Sequence, residues 1–101
     1  MTVIGKRLKA ARLLSGLSQE QLGLEAGLEA ASARARMNRY EVGTRAPTLE
    51  LMERVAAVLK YPVSYFYEPD DLIADLLKAV GELPQQDRSK ILEAAKKPTK
   101  R

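Results

Sequence analysis

Apolar residues recur along this chain with the spacing of helices, and no stretch alternates apolar and polar positions as a half-buried strand does. Ile4, Leu8, Ala11 and Leu14 fall at i, i+4, i+7 and i+10, which predicts a first helix over residues 3–15. Its polar face carries Lys6, Arg7 and Lys9. Ser15 and Gly16 stop it, with glycine suited to the left-handed position after a helix end. Ser18 then caps a second helix, and Gln21 three residues on completes a capping box; Leu17 and Leu22 stand at the positions of a hydrophobic staple. This helix ends at Gly27 and contains Gly23. A glycine inside a helix costs about 1 kcal/mol relative to alanine, so Gly23 points to a close approach of another helix. A third helix starts between Glu29 and Ala33 and runs to about Val42, with Ala30, Ala33, Met37 and Tyr40 on one face; Gly43 ends it. After the loop "TRAP", Thr48 caps a fourth helix whose core stripe is Leu49, Met52, Val55, Ala56 and Leu59. Tyr61 and Pro62 break it, and "VSYFY" adds a short fifth turn of helix.

The segment "EPDD" is the best boundary. Beyond it Asp70 or Asp71 caps a sixth helix with a wide stripe of Leu72, Ile73, Leu76, Leu77, Val80 and Leu83. Leu83 and Pro84 turn the chain into a seventh helix over 84–96, with Ile91, Leu92 and Ala95 inward. The expected class is all-α. Residues 1–68 form a five-helix domain, 69–96 a C-terminal helical hairpin, and 97–101 a basic disordered tail.

Composition removes several functions. The 101 residues suffice for one domain with an appendage. With no cysteine and no histidine, disulfides, thiolate or imidazole metal sites and Ser-His triads are excluded. No carboxylates converge, so no enzyme is expected, and no cofactor or metal. No apolar run approaches the ~20 residues that span a bilayer, and the N-terminal stretch lacks the apolar run of a signal peptide. A soluble cytoplasmic protein is expected. Charge is unevenly spread: residues 1–45 hold eight Lys/Arg against four Glu, whereas residues 46–90 hold five basic against eight acidic side chains. A basic first half suits a polyanionic partner.

Two short helices joined by a turn, the second rich in arginine, follow the helix-turn-helix plan, in which the second helix enters the major groove of DNA. Small residues such as Ala31, Ala33 and Ala35 keep that helix slim. Arginine supplies the fork that matches O6 and N7 of guanine. At about 100° per residue, with Met37 and Tyr40 inward, the outer face holds Ser32, Ala35 and Arg39; Arg36 and Asn38 flank it, and Arg34 lies nearer the core. The candidate base contacts are therefore Arg39 and Arg36, then Ser32, Arg34 and Ala35. Asn38 reads adenine or holds a phosphate.

The segments "IGKRLKAARLLSGLSQEQLGLEAGL" and "MNRYEVGTRAPTLELMERVAAVLKYPVSYF" resemble the Cro/lambda-repressor (Xre-like) helix-turn-helix family over residues 3–67. The most specific pieces are "GLSQEQL", "RYEVGTRAPTLE" and their spacing to "VSYF". The resemblance implies a five-helix DNA-binding domain, with Gln19 on a phosphate and Arg12 paired with Glu41 in a buried structural ion pair. It implies that the loop Gly43, Thr44, Arg45 lies along the DNA backbone, with Ser18, Asn38, Thr44 and Arg45 counted among the phosphate contacts. Family members bind as dimers on half-sites about 34 Å apart, and the expected dimer interface is Leu72, Leu76, Leu77, Val80 and Ile91. The sequence departs from the family pattern at "EAAS", residues 29–32, which are additional. Either the turn is longer or the third helix gains a turn. The expected function is a sequence-specific transcriptional regulator of double-stranded DNA, a repressor acting as a homodimer. An antitoxin that represses its own operon and a helical protein-interaction adaptor are the alternatives.

Overall fold

The structure is a computed structural model and describes residues 2–98. Within these every regular element is helical. The elements are α1 (Val3–Leu14), α2 (Gln19–Glu25), α3 (Ala33–Val42), α4 (Leu49–Leu59), a 3-10 helix (Val63–Tyr67), α5 (Asp71–Gly81) and α6 (Gln85–Lys96). Side-chain caps start most of them. Thr2 accepts from the Gly5 amide, Thr48 from Leu51 and Asp70 from Ile73. Ser18 and Gln21 form both arms of a capping box on α2. Each satisfies amides that the first turn of a helix otherwise leaves open.

The core gathers Leu8 and Ala11 of α1, Leu22 of α2, Met37 of α3, Met52 and Val55 of α4, and Phe66 of the 3-10 helix, all without exposed surface. Two glycines set how closely the helices approach. A Cβ on Gly23 would meet Ala33 and Met37 of α3, and one on Gly5 would collide with the carbonyls of Tyr40 and Glu41. The backbones of α1 and α2 therefore touch α3 directly, and α3 is held with much of its girth outside the core.

Several apolar positions depart from the periodic reading. Leu14, Leu49, Ile91 and Leu92 are exposed, as is Ala95 on the same expected inward face of α6, and α6 buries no residue at all. Leu14 lies at the last turn of α1, past the reach of the core, and Leu49 is the first residue of α4, where Leu51 takes the inward place. Ala30 is exposed, because residues 30–32 are a turn preceding α3. The four additional residues thus lengthen the turn and leave α3 unextended. Of the basic tail, Thr99 to Arg101 lie outside the described residues.

Arg7 is the largest departure. It lies on the inner side of α1, 5% exposed. Its guanidinium donates to the carbonyl of Glu68 through Nε (2.9 Å) and Nη2 (2.8 Å), and to that of Pro69 (3.2 Å). Nη1 lies 2.8 Å from the Asp71 carboxylate, and the group sits 5.6 Å from the Tyr65 ring. These contacts, with fully buried Ala74, fasten α5 to the body of the domain. Lys6 adds a 3.0 Å bond to Asp71. The hydrogen bonds from Lys6 and Arg7 hold the Asp71 carboxyl below its ordinary value of 3.8.

The folded state thereby favours charged Asp71, so this contribution is complete above about pH 3.8 and is lost as the pH falls through the lower value in the folded protein. On acidification through that window, amide-exchange protection in α5 is expected to fall before protection in α1 to α4. Asp71→Asn should remove the difference.

Candidate nucleic-acid interface

α2, the turn at 26–32 and α3 form two short helices at an angle, with α3 lying across Gly23. The turn is tied at both ends. Arg54 of α4 donates Nε to the Ala26 carbonyl (2.7 Å), and the amides of Ser32 and Ala33 return to the Glu29 carbonyl. Gly43, at φ 90°, closes α3 in the left-handed conformation, and the amides of Gly43 and Thr44 both reach the Arg39 carbonyl.

Inside this unit is a polar network anchored on Glu41, which is 2% exposed. Arg12 donates Nε to Oε2 (2.6 Å) and Nη2 to Oε1 (3.1 Å), while its Nη1 holds the Leu17 carbonyl (3.0 Å). Gln19 donates Nε2 to Glu41 Oε1 (3.1 Å) and to Asn38 Oδ1 (3.2 Å). A carboxylate only accepts, so Glu41 dictates which end of the Gln19 amide faces it. Gln19 in turn engages the oxygen of Asn38, leaving the Asn38 amino group as two outward donors. Both N–H groups of the Gln19 side chain are used within the protein. Its backbone amide and that of Glu20, in the first turn of α2, have no partner among the described residues. Ser18 Oγ accepts from Gln21, which leaves its hydroxyl proton free to donate.

The outer surface of α3 carries Arg34, Ala35, Asn38 and Arg39, all exposed. The 100° spacing puts Arg34 nearer the core, from where its long stem reaches outward; it lines a cleft of about 560 Å³ with Lys9, Ser18, Gln19 and Asn38. Sitting on the first turn of α3, it extends past the end of the core. Ser32 is the residue before α3 and makes no cap bond, so the helical spacing does not govern its direction. Arg36 is half-buried. Its Nε and Nη2 donate to the Tyr40 hydroxyl (3.3 and 2.9 Å), with the guanidinium 5.9 Å from the ring. Arg36, Arg39, Tyr40 and Arg45 line a second cleft, of about 250 Å³, on the far flank. Thr44 directs its hydroxyl back to the Arg39 carbonyl (3.4 Å). Among the described residues Arg34, Arg39 and Arg45 have no ion-pair partner; the exposed acid Glu20 lines the first cleft with Arg34.

Leu72, Leu76 and Ile91 stand on solvent-facing surface away from these clefts, and Leu77 and Val80 are half-buried beside them. Sequence reasoning missed Arg7, Arg54 and the Arg36–Tyr40 pair. The i, i+4 spacing of the last was a usable signal, whereas nothing local announces that Arg7 and Arg54 turn inward to backbone carbonyls.

A family model described as "Helix-turn-helix" matches residues 8–66. The chain belongs to the helix-turn-helix family. The match spans α1 through Phe66 of the 3-10 helix, so it includes both clefts and the Glu41 network. The chain is 31% identical over 65 residues to uncharacterized HTH-type transcriptional regulators of Sinorhizobium medicae (strain WSM419) and Rhizobium meliloti (strain 1021). The matched segment is 64% of this chain and 44% of each relative, so the chain spans less than half their length. It is also similar to the crystal structure of the transcriptional regulator BswR, with a TM-score of 0.82, 40% identity and 90% of each chain covered. That likeness extends beyond the helix-turn-helix unit into α5 and α6. No described helix is long and apolar enough to cross a membrane.

The Glu41 network makes a stability prediction. Breaking a buried pair by removing one partner costs about 3–5 kcal/mol, whereas replacing both partners by apolar residues costs much less. Glu41→Ala is expected to lose an amount in that range in urea denaturation, and Arg12→Met with Glu41→Leu to recover most of it. Equal loss in the two would show that the ion pair is not what is being measured.

Proposed function

We propose that the chain is a sequence-specific DNA-binding transcriptional regulator that lays α3 in the major groove and works as a homodimer on two half-sites. The observation that carries this is the outer face of α3. Among the described residues it presents Arg34 and Arg39 without ion-pair partners, while the acid of the same helix, Glu41, is buried and neutralised by Arg12. Family membership and the relatives' description as transcriptional regulators support the same reading.

The placement of the side chains supports a role for each. Arg39, at the centre of the outer face, reads a guanine edge through its fork, with Ala35 beside it giving room for close approach. Arg34 and Arg36 stand on opposite flanks. Arg36 has two of its donors on Tyr40, so it is aimed before DNA arrives and has fewer donors left for a base. Ser32, at the head of α3, is the remaining candidate for a base. Asn38 accepts from Gln19 through its oxygen, which turns its amino group outward; that group holds a phosphate. The Ser18 hydroxyl, the Gln19 backbone amide, Thr44 and Arg45 complete the backbone contacts on the two flanks. Bound dimers repress by occupying the site.

Arg39→Ala is expected to weaken binding to a duplex selected from a random pool by about 1–3 kcal/mol, with little change on unselected DNA. Arg45→Ala should weaken both alike and reduce the slope of log K against log salt by about 1. Equal losses on both duplexes for Arg39→Ala, measured by fluorescence anisotropy, would remove it from base reading.

A further inference from the structure

The C-terminal helices leave apolar surface uncovered on both sides of one turn. On α5, Leu72, Ile73 and Leu76 are exposed. Ile73, Leu76, Leu77 and Val80, with Pro62 and Arg88, line a groove of about 290 Å³. On α6, Ile91 and Leu92 are exposed, and nothing is buried. Neither Ile91 nor Leu92 lines that groove. Arg88 donates Nε to the Leu83 carbonyl (2.9 Å) and Nη2 to the Gly81 carbonyl (3.0 Å), which pins the turn and sends α6 outward. The radius of gyration, 15.6 Å, exceeds the ~13 Å of a compact chain of about this length. α6 has 12 residues and no side-chain N-cap, a length at which an isolated helix is marginal in water. Its helical form therefore calls for a cover.

Charge selects the cover. Residues 70–82 carry Asp70, Asp71, Asp75 and Glu82 against Lys78. Residues 85–97 carry Arg88, Lys90, Lys96 and Lys97 against Asp87 and Glu93. Setting α5 on α5, or α6 on α6, brings like charges together, whereas α5 against α6 opposes them. A two-fold pair supplies both α5–α6 contacts at once, since the same patches meet twice. We infer that α6 of each chain seats in the α5 groove of a second copy, so that the two copies exchange arms. This rests on the homodimer reading above and names its contact.

The test uses the full chain and two surface variants, Leu76→Glu in the groove and Ile91→Lys on the arm. Both sites are exposed, and a retained helical spectrum with a cooperative melt, by circular dichroism, verifies the fold. By sedimentation velocity the parent is expected to be a dimer and each variant a monomer at the same concentration. Mixing the two variants should restore a dimer, because one contact is then the original Leu76–Ile91 pairing and the other a Glu–Lys pairing. A parent that is monomeric overturns the homodimer reading together with the exchange. A dimeric parent whose variants stay dimeric, or become monomers that fail to re-pair on mixing, overturns the exchange alone.

Discussion

Arg12 carries the charge of Glu41 inside the protein, and the outward face of α3 depends on that pairing. A buried carboxylate without its partner is expensive enough to pull the end of α3 toward water. Held by two arginine nitrogens and the Gln19 amide, it becomes a fixed acceptor at the point where α1, α2 and α3 meet. Its influence passes outward through hydrogen-bond polarity alone: acceptor, then donor at Gln19, then acceptor at Asn38. The surface amide ends up with a defined orientation because a residue with almost no exposure has only one way to bond.

The same helix is slim where it must be and anchored where it can afford to be. Contact with α1 and α2 is made by glycines, so backbone rather than side chain fills the interface. Met37 and Tyr40 supply the inward bulk, and Tyr40 also holds Arg36 from behind. The arginines on the outer side consequently differ in freedom. Arg36 is braced, whereas among the described residues no side chain holds Arg34 or Arg39, a combination that suits fixed orientation on one flank and adaptable contact elsewhere.

Much of this was legible in the residues. Ser18, Gln21, Thr48 and Asp70 announce their helices because capping is a local interaction between neighbours in sequence. Gly23 announced a close neighbour, and Ala33 and Met37 of α3 lie against it. What local patterns could not show was where the core stops. Leu14 and Leu49 continue an apolar stripe beyond the elements able to cover it. Leu72, Leu76, Ile91 and Leu92 satisfy the helical period equally well with or without a partner, since amphipathicity records that a face is apolar and not what lies on it. Arg7 was hidden for the opposite reason. A cation among polar neighbours reads as surface, and beside the Asp71 carboxylate its partners are main-chain oxygens some sixty positions away, at Glu68 and Pro69, invisible to any rule about side-chain types.

That choice of partners bears on how the chain tolerates change. The oxygens at 68 and 69 belong to the peptide backbone, which every amino acid possesses. Substitutions there alter the side chains while leaving the atoms that Arg7 grips. The grip of Arg7 on the segment that leads into α5 is thus insulated from drift in the side chains of the linker that it holds.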